Sequence, residues 1–276
     1  MTILYNYMMQ NENMFGDFKT YMTIKKHHTY EEMYPSKALE DFVSMYWKSE
    51  NTSDEVYKLT ICPDAYFKLI FQVVEGKIVS YFLTGLWTNE VEVVIQPKMI
   101  TYGIKFKIIA PEYIFKRSIK SILNSVEQLP LDYFNANTFN LESFTTVVQS
   151  FENILLSHCP QKEEIRSNRL RLNQFLYVTH GDVQASEVAN QIFWSQREIN
   201  RYLNKYLGIS LKKYLNIQKC YRAYLDIREG EFFPEKGFFD QAHFIREVKK
   251  HTGQTPRKLF KKQNDQYIQL KNIKKL

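Results

Sequence analysis

The sequence has no long hydrophobic run, and this absence excludes a simple membrane-spanning helix. Its 276 residues contain no stretch of about 18 consecutive apolar residues, the minimum for a helix that crosses a bilayer. The first segment, "MTILYNYMMQNENMFGDFK", has neither the basic region nor the small-residue cleavage site of a secretory signal. We therefore expect a cytoplasmic protein that has no membrane partner.

Cysteine is scarce, and its spacing argues against a local metal or disulfide module. Cys62, Cys159 and Cys220 are odd in number and far apart, and no Cys-x-x-Cys pair or nearby His-x-x-x-His accompanies them. The simplest interpretation is that all three are buried, reduced thiols. We expect no metal and no cofactor.

Motifs for common enzyme chemistry are also missing. The sequence contains no Gly-x-Ser-x-Gly, no Walker loop and no His-Glu-x-x-His. A methyl-accepting repair domain would need an activated or zinc-held cysteine, which the scattered cysteines do not supply. Asp64 beside Cys62 is more simply a turn residue between strands. We expect no enzymatic activity, with an enzymatic N-terminal half as an alternative.

Charge divides the chain into two unlike halves. Residues 166–276 carry 22 Lys and Arg against 10 Asp and Glu, a net charge of +12, whereas residues 1–165 carry 15 against 20, a net charge of −5. This asymmetry is typical of a nucleic-acid-binding module attached to another domain, although a solvated basic surface without a partner would look the same. Together with the length, it predicts two domains, at residues 1–160 and 161–276.

The N-terminal half predicts an α+β domain. Its first 35 residues show no clear period, and "SKALEDFVSMYW" from Ser36 predicts one short helix on the spacing of Leu39, Phe42, Val43 and Tyr46. Five β-branched and aromatic runs follow, which predict an antiparallel sheet or small barrel. These runs are "EVYKLTICPD", "AYFKLIFQVVEG", "KIVSYFLTGLW", "NEVEVVIQP" and "MITYGIKFKI". Helical periodicity then predicts flanking helices in "PEYIFKRSIKSILNS" and "NLESFTTVVQSFENILLSH".

The C-terminal half predicts an all-α domain that contains two helix-turn-helix modules joined by a linker helix. The predicted helices lie at residues 164–179, 183–191, 195–207, 210–229, 239–251 and 256–263.

The first module lies in "DVQASEVANQIFWSQREINRYLNKYL". Val188 and Ile192 belong to the buried side of its first helix, and Ser195 is the predicted N-cap of the second. The apolar side of that second helix leaves Arg197, Asn200, Arg201 and Asn204 on the opposite face. Arginine and asparagine are the residue types that form bidentate hydrogen bonds with guanine and adenine.

The second module lies in "GFFDQAHFIREVKKHTGQTP". Asp240 is its predicted N-cap, Phe244 and Val248 point inward, and Gly253 ends the helix. Polar side chains remain outside: Gln241 and Arg246 suit bases, and Lys249 and Lys250 suit phosphates. The full predicted DNA-binding set is Ser195, Gln196, Arg197, Asn200, Arg201, Asn204, Lys205, Gln241, His243, Arg246, Lys249 and Lys250.

Residues 170–263 resemble the DNA-binding region of the AraC/XylS transcription regulators. The resemblance rests on "EVANQIFWSQREINRYLNKYLGISLKKYLN" and, more specifically, on "GFFDQAHFIREVKKHTGQTP". It implies that two recognition helices enter successive major grooves of a promoter. Residues 30–135 resemble the N-terminal segment of a subgroup of these regulators, through "PSKALEDFVSMYW", "CPDAYFKLIFQ", "LTG" and "YGIKFKIIAPEYIF", but "CPDA" replaces the usual Pro-Asp-Gly.

The segment before the second recognition helix departs from that family. Family members have a full supporting helix there, whereas "DIREGEFFPEK", residues 226–236, has room for about one turn and contains Gly230 and Pro234. We expect Phe232 and Phe233 to support the second module as a packed loop, and we expect this module to bind DNA more weakly than the first.

Some residues keep two interpretations. His243 suits either a base contact or a capping role, and Trp194 suits a packed aromatic better than a base stacker. Lysines at the C-terminal end can form a solvated tail or attract phosphates, and His27-His28 has no third ligand nearby. These lysines are Lys261, Lys262, Lys271, Lys274 and Lys275.

The expected function is that of a transcription regulator whose partners are double-stranded promoter DNA, a small-molecule effector, RNA polymerase and a second copy of the chain. The N-terminal domain either senses the effector or serves only in self-association. A sensor needs an apolar cavity inside its sheet, whereas an oligomerisation module has a filled interior.

Overall fold

The computed structural model describes residues 20–25, 28–233 and 238–261. Its strands lie in the N-terminal half, and the C-terminal half is helical, which confirms the predicted α+β architecture. The strands are β1 (Thr20–Lys25), β2 (His28–Met33), β3 (Val43–Asn51), β4 (Tyr57–Ile61), β5 (Phe67–Val74), β6 (Lys77–Thr84), β7 (Val91–Ile95), β8 (Ile100–Phe106) and β9 (Val126–Gln128).

Seven strands form one antiparallel sheet in the order β1-β2-β3-β8-β5-β6-β9, and β4 pairs with β7 in a separate two-stranded sheet. The five strands predicted from sequence correspond to β4 through β8. β1 and β2 fall in the first 35 residues, where the sequence shows no period, and β3 was predicted as a helix.

The helices are α1 (Ala110–Tyr113), α2 (Phe144–His158), α3 (Ser167–Thr179), α4 (Ala185–Ile192), α5 (Gln196–Leu207), α6 (Leu211–Arg228), α7 (Gln241–Thr252) and α8 (Pro256–Lys261). All six helices predicted in the C-terminal half are confirmed as α3 through α8.

The large sheet buries its two faces against different elements. On one face, α2 packs on the strands: the ring of Phe151 lies 5.6 Å from the ring of Phe71, and the hydroxyl of Tyr46 donates a 2.8 Å hydrogen bond to the buried carboxylate of Glu152. The other face is covered by the β4–β7 sheet, where Trp47 and Ile70 belong to a separate small cluster. The sheet half is therefore a sandwich, with the two-stranded sheet covering one side of the large sheet.

The predicted helix from Ser36 is wrong. Residues 37–42 form hydrogen-bonded turns, in which Ser36 and Leu39 accept from the backbone N–H groups that follow, and β3 then begins at Val43. Leu39, Phe42, Val43 and Tyr46 are buried as the sequence suggested. A strand forms because Val43–Asn51 pairs on both sides, with β2 and with β8, and this pairing outweighs a local helical period.

The predicted helix over "PEYIFKRSIKSILNS" is also mostly wrong. α1 ends at Tyr113, Lys116 has a left-handed φ of 52°, and only a 3-10 turn follows at Lys120–Ile122. Ile119 is buried as expected, but its backbone N–H donates to the carbonyl of Tyr206 in α5. A tertiary hydrogen bond thus replaces the helical one. By contrast, α2 confirms the second predicted helix and begins with a capping box at Ser143.

The main hydrophobic cluster runs through both halves of the chain. It includes Met33 of β2, Phe71 of β5, Phe151 of α2, Leu203 of α5 and Ile217 of α6. A domain division after residue 160 remains a prediction, and the helical half is packed directly against the sheet half.

Candidate nucleic-acid interface

α4 and α5 form the first helix-turn-helix. α4 ends at Phe193, which has a left-handed φ of 55°, and Ser195 caps α5 by accepting a hydrogen bond from the backbone N–H of Glu198. The Ser195 hydroxyl also donates to the Glu198 carboxylate at 2.7 Å and lowers the pKa of that carboxyl. Ile199 and Leu203 are fully buried. The predicted cap and the predicted inner face of α5 are both confirmed.

The outer face of α5 consists of polar and basic side chains. No ion pair to Arg197 or Arg201 forms within the described residues. Trp194, by contrast, is buried beside Tyr202 and is a packed aromatic. The side chains exposed on this face are Gln196, Arg197, Arg201, Asn204 and Lys205.

Asn200 lies between that face and the core, and both ends of its amide are bonded within the protein. Its Nδ2 donates to the carbonyl of Gln196 at 2.9 Å, and its Oδ1 accepts from the backbone N–H of Leu211 at 2.9 Å. Leu211 is the first residue of α6, where backbone N–H groups lack partners within the helix. Asn200 therefore connects α5 to α6, a role that its spacing alone did not indicate.

α6 is the predicted linker helix. Ser210 caps it by accepting from the N–H of Lys213, and Gly208, with a φ of 77°, ends α5 just before it. At 18 residues and about 1.5 Å per residue, α6 is about 27 Å long, comparable with the 34 Å between successive major grooves.

α7 begins at the second predicted N-cap. The Asp240 carboxylate accepts from the N–H of His243 at 2.6 Å, Phe244 and Val248 are fully buried, and Gly253 ends the helix with a φ of 64°. Four predicted contact residues of this helix are exposed: Gln241, Arg246, Lys249 and Lys250. Of these, Lys250 lies 3.7 Å from Glu247.

His243 contributes to the start of α7. It is half-buried, its Nδ1 accepts from the N–H of Phe239 at 3.3 Å, and its ring lies 5.8 Å from the ring of Phe238. Of its two interpretations from sequence, this placement favours the capping role.

The segment before α7 is not a helix in the part that the structure describes. α6 ends at Arg228, and residues 229–233 have no helical structure, whereas residues 234–237, including Pro234 and Gly237, lie outside the described residues. Phe232 packs edge-on against Phe260 of α8, with ring centres 5.4 Å apart, and Phe233 is 59% exposed. Of the two phenylalanines expected to support the second module, Phe232 is therefore the one that packs against it.

The N-terminal half holds the last turn of α5. The Ser118 hydroxyl donates to the carbonyl of Lys205 at 2.6 Å, and the Ile119 N–H donates to the carbonyl of Tyr206 at 2.9 Å. These carbonyls belong to a helix end, where they lack intrahelical partners. The sheet half therefore completes the C-terminal cap of α5.

The N-terminal half also contacts the end of α7. His251 is buried, and its Nδ1 donates to the carbonyl of Thr88 at 3.1 Å, so Nε2 is the unprotonated nitrogen of the neutral ring. Burial lowers the pKa of His251, although the bond to Thr88 and the carboxylate of Glu247, 3.8 Å from Nε2, oppose that shift. Both α5 and α7 are thus fixed to the sheet half at their C-terminal ends.

The "CPDA" turn between β4 and β5 meets the linker helix. Ala65 takes a left-handed φ of 63°, the conformation for which glycine is usual, and its carbonyl accepts from the hydroxyl of Tyr214 in α6 at 3.2 Å. Asp64 is buried, and its carboxylate lies 2.8 Å from the Lys68 ammonium and 3.5 Å from that of Lys105. Burial opposes ionisation of Asp64, but the two lysines hold its pKa below the usual value. Asp64 is therefore a buried ion-pair residue as well as a turn residue.

A cavity of about 100 Å³ lies between the large sheet and the β4–β7 sheet. Its walls are mainly apolar, and the half-buried Trp87 and the exposed Val126 lie along its edge. The residues that line it include Trp47, Leu59, Ile61, Ile70, Phe82, Val93, Ile95 and Thr101. An apolar cavity of this kind is the feature that separates a sensor from a filled oligomerisation module.

The cysteines are free thiols: Cys62 and Cys220 are buried and Cys159 is half-buried. Burial raises the pKa of the Cys62 and Cys220 thiols, which keeps them protonated and poorly nucleophilic. In the described part of the chain, His, Cys, Asp and Glu side chains form no group of three that suits a metal ion. None of the helices there combines the length and the hydropathy that a bilayer crossing requires.

Residues 31–128 match a family model described as a domain of unknown function, DUF6597. No curated protein matches this chain.

Among the similar solved structures are two of ToxT and one of an AraC-like transcriptional activator. One is ToxT from Vibrio cholerae, with 10% identity and a TM-score of 0.41, covering 85% of this chain and 98% of that chain. Another is unsaturated fatty acid-bound ToxT from Vibrio cholerae strain SCE256, with 7% identity and a TM-score of 0.37, covering 76% and 92%. The third is the AraC-like transcriptional activator CuxR, with 10% identity and a TM-score of 0.24, covering 76% and 82%.

Proposed function

We propose that this chain is a sequence-specific transcription regulator of the AraC/XylS type, which binds double-stranded promoter DNA through α5 and α7 and performs no catalysis. The observation that carries the proposal is the shared construction of these two helices. Each begins at a side-chain cap, buries an apolar face and exposes basic and amide side chains. The net charge of +12 over residues 166–276 supplies the attraction to phosphates.

The proposed base readers are Arg197, Arg201 and Asn204 on α5, and Gln241 and Arg246 on α7. Their side chains are exposed and free to form bidentate hydrogen bonds in a major groove. The remaining predicted residues position the protein on the DNA backbone. Among them, Asn200 and His243 act indirectly, because each fixes the helix to which it belongs. The residues in this positioning group are Ser195, Gln196, Asn200, Lys205, His243, Lys249 and Lys250.

Modulation through the N-terminal half follows from the way that half is packed. Because it holds the carbonyls of Lys205 and Tyr206 and contacts His251, a change in its packing moves the two recognition helices relative to each other. Two helices that read successive grooves bind well only at the correct separation. An effector or a dimer contact, acting on the N-terminal half, then changes promoter occupancy or contact with RNA polymerase.

Between a sensor and a pure oligomerisation module, the cavity of about 100 Å³ favours a sensor, since a module that served only in self-association would have no need of internal space.

The test is a DNA site selected from random or genomic fragments with the full-length protein. We expect Arg201→Ala and Arg246→Ala each to weaken binding to that site by about 1–3 kcal/mol and to relax base preference at one position. Lys249→Ala should instead weaken binding to all sequences and lower the salt dependence by about one unit of slope. Lys77→Ala, which removes an exposed charge in the β5–β6 hairpin, is the control and should change neither. Unchanged affinity and base preference in both arginine variants would show that the assigned recognition faces are wrong.

A further inference from the structure

A basic segment of the sheet half lies beside the C-terminal end of α5. Residues 116–120, "KRSIK", contain three basic residues and no acidic residue, whereas the sheet half as a whole is acidic. Arg117 is paired with Glu127 at 2.8 Å. Lys116 and Lys120 are exposed, and neither forms an ion pair within the described residues. The acidic half of the chain therefore carries two unpaired positive charges in a segment that contacts the basic half.

This segment is fixed closely against α5. Hydrogen bonds from Ser118 and Ile119 to the last turn of α5 anchor it. Lys120 follows directly and packs on Gly208, where an added Cβ would lie 3.1 Å from the Cγ of Lys120 and 3.4 Å from its Cα. The first of these separations is shorter than an ordinary van der Waals contact, so a glycine is needed for Lys120 to lie this close to the end of the helix.

Gly208 belongs to the outer face of α5. Its N–H donates to the carbonyl of Asn204, so its position still follows the helical path. It lies four residues beyond Asn204 and seven beyond Arg201, and residues at these spacings share one side of a helix. The side chain of Lys120 therefore extends the row of exposed polar and basic side chains on α5 at its C-terminal end.

The DNA backbone is expected at this end of α5. In helix-turn-helix proteins, the N-terminal residues of the recognition helix contact base edges. The distance along α5 from Arg201 to Gly208 is about 10 Å at about 1.5 Å per residue, and the major groove is about 12 Å wide. A helix whose first turns lie over the bases therefore brings its last turn to a phosphate strand that borders the groove.

A lysine near the end of a helix also has a simpler role. Its ammonium can stabilise the helix, because the last carbonyls carry a partial negative charge. In α5, however, carbonyls of the last turn already accept bonds from Ser118 and Ile119, and the ammonium of Lys120 donates to none of them within the described residues. The charge of Lys120 is therefore available to a partner outside the chain.

We propose that Lys120 of the sheet half contacts a DNA phosphate beside the groove that α5 enters, so that the N-terminal half takes part directly in DNA binding. Double-stranded DNA is the partner that fits, because the exposed ammonium continues the basic face of α5 and DNA presents a row of negative charges along the groove. The proposal rests on the proposed function, since α5 must enter a groove for Lys120 to reach a phosphate. It goes beyond that function by assigning a contact outside the helical half.

Two variants of the full-length protein test the charge of Lys120 on the selected DNA site. Lys120→Met keeps the aliphatic stem against Gly208 and removes the charge, whereas Lys120→Arg keeps the charge. We expect Lys120→Met to reduce the slope of log K against log salt by about 0.9, the value for one phosphate, without changing base preference. Lys120→Arg should keep the slope of the parent protein.

Lys77→Met is the matched control, because it removes the same charge from an exposed lysine of the β5–β6 hairpin and should keep the parent slope. Lys120→Gln replaces Lys120→Met if melting shows that the methionine variant does not fold. An unchanged slope in the uncharged Lys120 variant would overturn the proposal. A lower melting temperature with an unchanged slope would overturn it too, because Lys120 would then act only on the end of the helix.

Neutral phosphates locate the contact directly. In a series of copies of the site, each carries one uncharged methylphosphonate in place of a phosphate. We expect one position near the α5 groove at which the parent protein loses affinity about threefold, as for one exposed ion pair, and Lys120→Met loses none. Lys249→Ala, which changes the other proposed recognition helix, should still show the loss at that position. Equal losses in Lys120→Met and the parent protein at every position would overturn the contact.

The arginine variants separate this proposal from the proposed function. If Arg201→Ala weakens binding and relaxes base preference while Lys120→Met keeps the parent slope, the Lys120 contact is wrong and the recognition face stands. If Arg201→Ala and Arg246→Ala keep full affinity and preference, the proposed recognition faces are wrong. A reduced slope in Lys120→Met would still show that the sheet half contacts a phosphate.

Discussion

The hydroxyl of Ser118 donates a hydrogen bond to the backbone carbonyl of Lys205, so the sheet half caps the last turn of α5. The bond from the Ile119 N–H to Tyr206 lies directly beside it. Together they are the contact through which the N-terminal half reaches a helix proposed to read DNA.

Removing this hydroxyl should loosen the contact without unfolding the protein. For Ser118→Ala we expect hydrogen exchange at the Ile119 amide to become about fivefold faster, as expected for the loss of about 1 kcal/mol at a local contact. Ser157→Ala is the matched control, since Ser157 also donates to a carbonyl, that of Ile154, but within α2. Equal exchange at Ile119 in Ser118→Ala and the parent protein would contradict a capping role for Ser118.

Asn200 and Asn204 lie one turn apart on α5 but should behave differently. Asn200→Ala removes the acceptor for the Leu211 N–H, and we expect it to lower the free energy of unfolding by about 1–2 kcal/mol. Asn204 is exposed, so Asn204→Ala should stay within about 0.5 kcal/mol of the parent protein. Urea unfolding measures both. If the two variants lose the same stability, Asn200 does not connect α5 to α6 as described.

Phe193 occupies the turn of the first helix-turn-helix in an unfavourable conformation. It combines a φ of 55° with 84% exposure, and a bulky residue at positive φ is strained. Phe193→Gly should therefore raise the free energy of unfolding by about 0.5–1 kcal/mol, and Phe193→Asn should raise it by less. Thermal melting gives the comparison. A loss of stability in Phe193→Gly would mean that the contact of its ring with Arg171, whose guanidinium lies 5.9 Å away, outweighs the strain.

His251 should make stability depend on pH below neutrality. Because burial lowers its pKa in the folded protein below the usual value of about 6.5, the unfolded chain binds the proton more readily. The contribution of His251 to the free energy of unfolding is complete above about pH 6.5, and it is lost as the pH falls towards the pKa of His251 in the folded protein. Acid should destabilise the buried position of the His251 ring in the same range, because a charged imidazole is costly to bury, although its Nδ1 keeps the hydrogen bond to the Thr88 carbonyl.

The difference in unfolding free energy between the parent protein and His251→Gln, followed from about pH 7.5 to 5, isolates this effect. The unfolding free energy of the glutamine variant should depend less on pH. His180→Gln is the control: it removes another histidine whose pKa is lowered by burial, and it should leave the pH dependence due to His251 intact. Parallel curves for the parent protein and His251→Gln would contradict the prediction. Asp64 does not contribute to this difference, because its pKa is lowered in the folded protein and its stabilising effect is lost only below about pH 4.

The helices of the C-terminal half could be predicted because their ends are determined locally. Ser195, Ser210 and Asp240 each cap the start of a helix by accepting a hydrogen bond from the backbone N–H three residues further along. Gly208 and Gly253 each end a helix by adopting a positive φ. Each of these signals is complete within a few residues of sequence.

The N-terminal errors have a different origin. Tyr46 and Phe42 lie at helical spacing and are buried, yet the backbone there is a turn and a strand, because β3 finds partners in β2 and β8. Ile119 is buried as expected, but its N–H bonds to Tyr206, 87 residues further along the chain. Hydrogen bonding between segments that are far apart in sequence cannot be predicted from the pattern of either segment alone.

The candidate site was predictable in its chemistry but not in its connections. The exposed face of α5 follows from the spacing of Ile199 and Leu203. By contrast, the bonds of Asn200 and His251 and the cavity beside Trp47 depend on which elements meet in three dimensions. No pattern within their own segments distinguishes these residues.

The hydrophobic cluster that joins Met33, Phe71 and Leu203 has a thermodynamic consequence. Melting either half would expose apolar side chains of the other, so we expect the described part of the chain to unfold as one cooperative unit in calorimetry. A cut near residue 160 would then yield two fragments with exposed cores rather than two independent domains. Spectroscopic probes placed in the sheet and in α5 or α7 should report the same melting transition.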